Sequence, residues 1–236
     1  MSRIPILEFM DVVKTYGTGS AETKALGGIN LTVAKGEFVA MMGPSGCGKS
    51  TVLHLAGGLE HPSSGRVLVN GLDLADMSAP QRAALRRSEV GYIFQRLNLI
   101  PSLTSRENVM LPLELDGVGR REAAHRATEA LNTVGLFHNL DRYPNEFSGG
   151  QQQRIAIARS LVAERSLLLA DEPTGSLDTV NSDEIIELLA TLPARFGTAV
   201  VLVTHEPRFA SWADRVVFMR DGSIVDESTR SSTGVM

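Results

Sequence analysis

The stretch FVAMMGPSGCGKSTVLHLAGGL, residues 38 to 59, decides the fold. It opens on a short apolar run, Phe38 to Met42, of the kind that makes a buried strand. A glycine-bearing loop follows. Lys49 onward then reads as a helix that Gly57 and Gly58 bring to an end. Gly43 to Ser50 match the pattern G-x-x-x-x-G-K-[ST]. Glycines let the backbone curl closely, so that successive N–H groups converge on one anion. The following helix aims its positive end at the same point. Gly43, Ser45, Gly46, Cys47 and Gly48 would line such a cradle. Lys49 would reach the β- and γ-phosphates of a nucleotide, the Ser50 hydroxyl would meet Mg2+, and Thr51 would help hold the phosphates. Alone, the loop does not separate kinases, GTPases, helicases and transporters.

Working outward, LLLAD at 167–171 places Asp171 at the end of an apolar strand, where a carboxylate can orient a Mg2+ shell through water. Glu172 follows at once and could take a proton from an attacking water. An Asp-Glu pair after a strand also caps helices; the phosphate loop is what favours the metal role. His205 ends the strand TAVVLVTH. Alone, a strand-end histidine more often bonds backbone; in a parallel sheet, however, ligands gather at the carboxyl ends of strands, which lets His205 contact the γ-phosphate. Gln95 ends EVGYIFQ, where its amide could ligate Mg2+ or the attacking water. Tyr16 follows the first strand and could stack on adenine, although an isolated tyrosine more often belongs to a core or rim.

ILEFMDVVKTY reads as a strand, and INLTVAKGEFVAMMG as two β-like runs joined at Lys35-Gly36. From about Pro101 to Pro144 the chain turns helical, with Ala124, Ala127, Leu131 and Val134 on one face. This predicts a helical subdomain, about residues 97–163, inserted into an α/β core. A helix after Ser148, a helix at EIIELLATL and a closing hairpin with Asp221-Gly222 at its turn complete one domain over residues 1–227. Residues 228–236 are small and polar and predict a flexible tail.

Composition sets limits. The chain has 236 residues, 43% apolar and 21% charged, ample for one large α/β domain. A net charge of −4 argues against a nucleic-acid binder. No apolar run reaches the roughly 18 residues of a membrane span, and MSRIPILEFM lacks the pattern of a signal peptide. With a single cysteine, Cys47, no internal disulfide forms, which predicts a reducing compartment and contact with any membrane through a partner.

Phe147-Ser-Gly-Gly-Gln151 separates the classes left open by the phosphate loop. Taken in order with that loop, Gln95, DEPTGSLD at 171–178 and His205, it makes the chain resemble the ATPase subunits of ABC transporters from about Ile6 to Glu227. The finer resemblance is to bacterial subunits of the lipoprotein-releasing and macrolide-efflux type, carried by GPSGCGKST, IFQRLNLIPSLTSRENVMLPL, FSGGQQQRIAIARSLV and LLLADEPTGSLD. Two positions depart from it: Phe147 where leucine is usual and Ser176 where asparagine is usual. The resemblance implies an α/β P-loop NTPase core of ABC type with an N-terminal antiparallel β-subdomain and an inserted helical subdomain. It implies a transport-coupled ATPase using ATP and Mg2+, with Glu172, His205 and Gln95 catalytic. It also implies a head-to-tail homodimer in which Ser148, Gly149, Gly150 and Gln151 complete the partner's ATP site, with Asp178 at the seam. Integral membrane permease subunits would hold the pair at the cytoplasmic face of the bacterial inner membrane. The same pattern serves systems of unlike cargo and names none.

Overall fold

The computed structural model describes residues 4–175, 177 and 179–230, and arranges them around two sheets. The first is antiparallel, in the order β2-β1-β4-β5, from β1 (Pro5–Tyr16), β2 (Thr23–Ala34), β4 (Ser64–Val69) and β5 (Leu72–Asp73). The second runs β10-β9-β3-β8-β7-β6, from β3 (Phe38–Met42), β6 (Val90–Ile93), β7 (Leu167–Asp171), β8 (Ala199–Val203), β9 (Arg215–Arg220) and β10 (Ser223–Thr229). Its strands are parallel except β10, which returns from β9 as a hairpin. Asp221 and Gly222 both take positive φ at that turn, as a two-residue hairpin loop requires.

Alternation along the parallel strands divides the interior. Phe38, Ala40, Leu168, Ala170, Val200 and Leu202 face one core. Val39, Met41, Leu167, Leu169, Val201 and Val203 face the other. Side chains two apart share a face, so five-residue strands buried on both sides feed both cores at once. On the second face α1 (Lys49–Ala56) lies between the two sheets, against β7 and β8 on one side and β2 and β4 on the other. On the first face pack α5 (Gly149–Leu161) and α6 (Thr179–Phe196). The remaining helices are α2 (Ala79–Ser88), α3 (Ser105–Leu115), α4 (Arg120–Thr133) and α7 (Pro207–Ala210).

Helices α3, α4 and α5 pack on one another, and α5 also rests on β6. Ala127, Leu131 and Val134 are buried there as the periodicity expects, and Ala124 is partly covered. Thr104 and Glu107 form a reciprocal cap that starts α3. Ordered structure continues past residue 227: β10 runs to Thr229, and Arg230 N–H donates to Asp214 O at 2.8 Å. The flexible tail read from residue 228 is corrected for residues 228–230, whose backbone pairs with β9 and the segment before it. Residues 231–236 lie outside the described residues.

Leu169 is fully buried between α1 and the sheet. Leu169→Ala is expected to lower the unfolding free energy by about 2–5 kcal/mol in urea titration; a loss below about 1 kcal/mol would contradict a close-packed core at that strand.

Candidate active site

Strand order decides which residues meet. At the carboxyl edge β3, β8, β7 and β6 stand side by side, about 4.8 Å apart. The phosphate loop therefore leaves the sheet beside the β8 end with His205, then the β7 end with Asp171 and Glu172, then the β6 end with Gln95. Four segments distant in sequence share one rim.

The β3–α1 loop is shaped by what lies behind it. Gly43 has φ 155°, and a Cβ there would collide with Met219 O of β9. Gly48, the residue before α1, has φ 105°, and its Cβ would stand 2.7 Å from Ala25 O and 2.8 Å from Leu26 Cδ2. Only glycine allows both the dihedral and the approach. Ser45, Gly46 and Ser50 face solvent, while Cys47 is buried beneath the loop as part of the core. Cys47 can therefore contribute its backbone, not its thiol, to a ligand. Lys49 is also buried, and its Nζ donates to Gly43 O at 2.8 Å and Pro44 O at 2.9 Å. The same Nζ stands 3.8 Å from Cys47 Sγ; all its partners are neutral, so an incoming polyphosphate can recruit it.

Ser50 Oγ donates to Asp171 Oδ1 at 3.2 Å. Asp171 is buried, and burial pushes its carboxyl up from the ordinary range, more than the Ser50 hydrogen bond and the charges of His54 and Lys49 pull it down. A hydroxyl and a carboxylate at this distance form an oxygen pair that fits Mg2+, an ion that keeps several waters and binds through one or two protein oxygens plus phosphate. Next in sequence, Glu172 takes φ 43°, an uncommon conformation for a glutamate, while its N–H donates to Val203 O at 3.0 Å. That twist turns its carboxylate to His205, with Glu172 Oε2 3.2 Å from His205 Nδ1. His205 is largely exposed. Gln95 is exposed in the loop two residues beyond β6.

Tyr16 ends β1, and its phenol donates to Glu60 Oε2 at 2.6 Å. Glu60 also meets Lys14 at 3.1 Å and His54 at 3.3 Å, and Lys14 Nζ stands 4.8 Å from the Tyr16 ring centroid. One ring face is thus taken by a cation and the hydroxyl is engaged; a planar base would use the remaining face. The sequence reading had no signal for Glu60, which lies beyond α1 and matches no motif.

Ser148 caps α5. Its N–H donates to Gln151 Oε1 at 3.1 Å, and its Oγ accepts from Gln151 N–H at 3.4 Å. The Gln151 amide is therefore committed to the cap. Ser148 and Gly149 are exposed, whereas Gly150 is buried so closely that a Cβ would stand 2.7 Å from Asn181 Oδ1 of α6. This helix end serves the first core, whereas α1 serves the second. Three strand spacings, about 14 Å, also separate β3 from β6, the strand on which α5 rests. The two helix starts thus belong to elements packed on opposite faces of the sheet. Asp178 and Ser176 lie outside the described residues.

The ABC transporter family profile matches residues 26–175. The lipoprotein-releasing system ATP-binding protein LolD of Geobacter metallireducens is 48% identical over 93% of this chain and 98% of its own length. The macrolide export ATP-binding/permease protein MacB of Syntrophobacter fumaroxidans is 44% identical over 94% of this chain, which spans only 32% of that larger protein. Among solved structures, the dimeric post-hydrolysis state of the ATP-binding cassette MJ0796 bound to ADP and Pi superposes with TM-score 0.87 at 39% identity, over 94% of this chain and 98% of that one. The chain belongs to the ABC transporter family and is of the LolD and MacB type.

A carboxyl that is harder to ionise in the folded protein draws stability away as pH rises from the ordinary carboxylate range through its raised value. Asp171→Asn keeps the acceptor for Ser50 and removes the buried charge. It is expected to raise the melting temperature of the nucleotide-free protein at neutral pH, with little gain in acid. Calorimetry across pH checks this, and an unchanged or lower midpoint at neutral pH would contradict it.

Proposed function

We propose that this ABC-family ATPase works as a head-to-tail pair, each copy completing the other's nucleotide site, and that its cycle drives integral membrane partners. The observation that carries the reading is the split of donors within one chain. The phosphate loop, Ser50–Asp171 and Glu172–His205 share one sheet edge. The capped, exposed N-terminus at Ser148-Gly149 stands on the helix layer of the opposite core. A second copy, turned by a twofold rotation, can bring its Ser148, Gly149 and Gly150 to the γ-phosphate left open on the first, and receive the same in return.

In this reading ATP lies with its phosphates along residues 43–51 and its base against the open face of Tyr16. Lys49 leaves the loop carbonyls for the β- and γ-oxygens. Ser50 and Asp171 would hold Mg2+, Asp171 through water and Gln95 from the neighbouring loop; the ion would neutralise charge on the bridging phosphate oxygens. Glu172 accepts the proton of the attacking water as the γ-phosphoryl group passes to it, yielding ADP and phosphate. His205, with Nδ1 turned to Glu172, offers Nε2 to a γ-oxygen. Separate anionic products then push the two copies apart.

The membrane partner has a place to bind. A groove of about 420 Å3 runs between α2 and β6 on one side and α3 and α5 on the other, lined by Leu59, Phe94, Leu111, Leu115, Arg86 and Arg159. Leu59 and Leu115 are exposed. Among the described residues no helix is long and apolar enough to cross a membrane. A permease segment seated in this groove would hold the subunit peripherally at the cytoplasmic face. LolD is named for lipoprotein release and MacB for macrolide export, and those names support a cycle coupled to one of these two kinds of transport.

Glu172→Gln is expected to bind ATP normally, accumulate as an ATP-bound dimer in size-exclusion chromatography, and lose turnover by roughly 10²-fold or more. Normal hydrolysis by that variant would remove Glu172 from the role of base. Lys49→Ala is expected to lose most of its ATP affinity by calorimetry, and unchanged affinity would refute its phosphate role.

A further inference from the structure

The loop that carries Gln95 has little regular structure. Between β6 and α3, its backbone carbonyls are satisfied by two side chains from elsewhere. Asn108, fully buried in α3, accepts from Ile100 N–H and donates to Ile100 O, Leu103 O and Thr104 O. Arg159, in the last turn of α5, donates from Nη2 to Leu97 O and from Nη1 to Asn98 O, both at 2.7 Å. Asn98 takes φ 49°, a conformation that persists when its surroundings hold it. Burial holds the Arg159 guanidinium below its ordinary range. Its two best hydrogen bonds are thus charge-assisted bonds to the backbone of one loop.

The same helix is pinned at its end. Arg165 donates from Nη1 to Arg159 O and Ser160 O, the terminal carbonyls of α5, and from Nε to Arg87 O near the end of α2. Arg159 therefore stands where α5, the core and the loop are joined. At its other end, about 15 Å away along the axis, α5 presents Ser148 and Gly149.

We propose that Arg159 is the positioning residue that ties the Gln95 loop to the helix presenting Ser148–Gly150, so that the two move as one body. The proposal rests on the nucleotide reading above. When Ser148–Gly150 engages a partner's γ-phosphate, α5 turns, and the fork of Arg159 carries residues 97 and 98 with it. Gln95, two residues away, is thereby placed or withdrawn at its own chain's nucleotide. Each site then reports its state to the other through one guanidinium. A lysine cannot replace it, because one ammonium on a flexible stem does not hold two successive carbonyls in a fixed plane.

The test uses the full chain as Arg159→Lys and, as a second variant, Arg159→Met, each checked first for a cooperative melt. Hydrogen exchange by mass spectrometry is expected to show amides of residues 95–100 exchanging about tenfold faster or more. Turnover is expected to fall about tenfold or more while the KM for ATP stays within about twofold. Wild-type exchange in that loop, or loosened exchange with unchanged kcat, would overturn the tie. A Gln95→Ala control with normal turnover would overturn the role of Gln95 itself, a failure distinct from either.

Discussion

The active edge depends on how closely three backbones pass one another where the phosphate loop, β2 and the β9–β10 hairpin meet. Gly43 lies against Met219 O, Gly48 against Ala25 O, and Gly222 against Ala25 O, where a Cβ would stand 2.6 Å away. Gly222 N–H donates to Cys47 O at 3.1 Å, and Gly222 O accepts from Gly27 N–H at 2.8 Å. The loop is thus held from behind by main chain, which leaves its front free for an anion. Main-chain support is stiff, and stiffness is what lets a ring of N–H groups recognise phosphate without reorganising. It also explains why the closing hairpin, far from any motif, belongs to the site.

A second constraint is charge kept out of water. Lys49 and Asp171 are both buried, on either side of Ser50. Lys49 spends its donors on carbonyls of its own loop, and Asp171 accepts from a neutral hydroxyl. Neither finds a salt bridge with the other, and the carboxyl is raised rather than lowered. An edge arranged in this way is incomplete without a ligand that brings negative charge to the lysine and a cation to the aspartate. Glu172 adds backbone strain at the same place. Function here works against stability, and the apolar strands β7 and β8, buried on both faces, supply what offsets it.

Much of this was legible as sequence, for a physical reason. Cradling phosphate needs particular residue types at fixed offsets, so Gly43 to Thr51, Asp171-Glu172 and the Ser148 cap are written as contiguous letters. Long buried strands were legible because four or five apolar residues in a row have few other uses. The stretch between Leu59 and Val90 was silent. There β4 buries only Val67 and Val69, β5 has two residues, and α2 buries only Leu85 on an arginine-rich helix, so no period rises above its neighbours. Glu60 and Arg159 were silent for a different cause. Glu60 acts on residues of β1 and α1, and Arg159 acts on carbonyls, which every residue carries. A side chain whose partner is backbone leaves no second letter to find.

The two cores give the last step. Helices α1 and α5 pack on opposite faces of one sheet, and both start at positions built to meet an anion. In the pairing proposed above, those two ends meet one phosphate only from different copies. A twofold axis between two chains would allow it, and symmetry would then make two sites or none. The nucleotide would then be the missing contact of an interface that each copy has only half of. In that pairing the binding energy of ATP could appear as motion of whole subunits, because the groove lined by Arg159 lies on the helix whose other end would meet the partner's phosphate. A membrane segment seated there would feel the nucleotide across the pair through one rigid rod of thirteen residues.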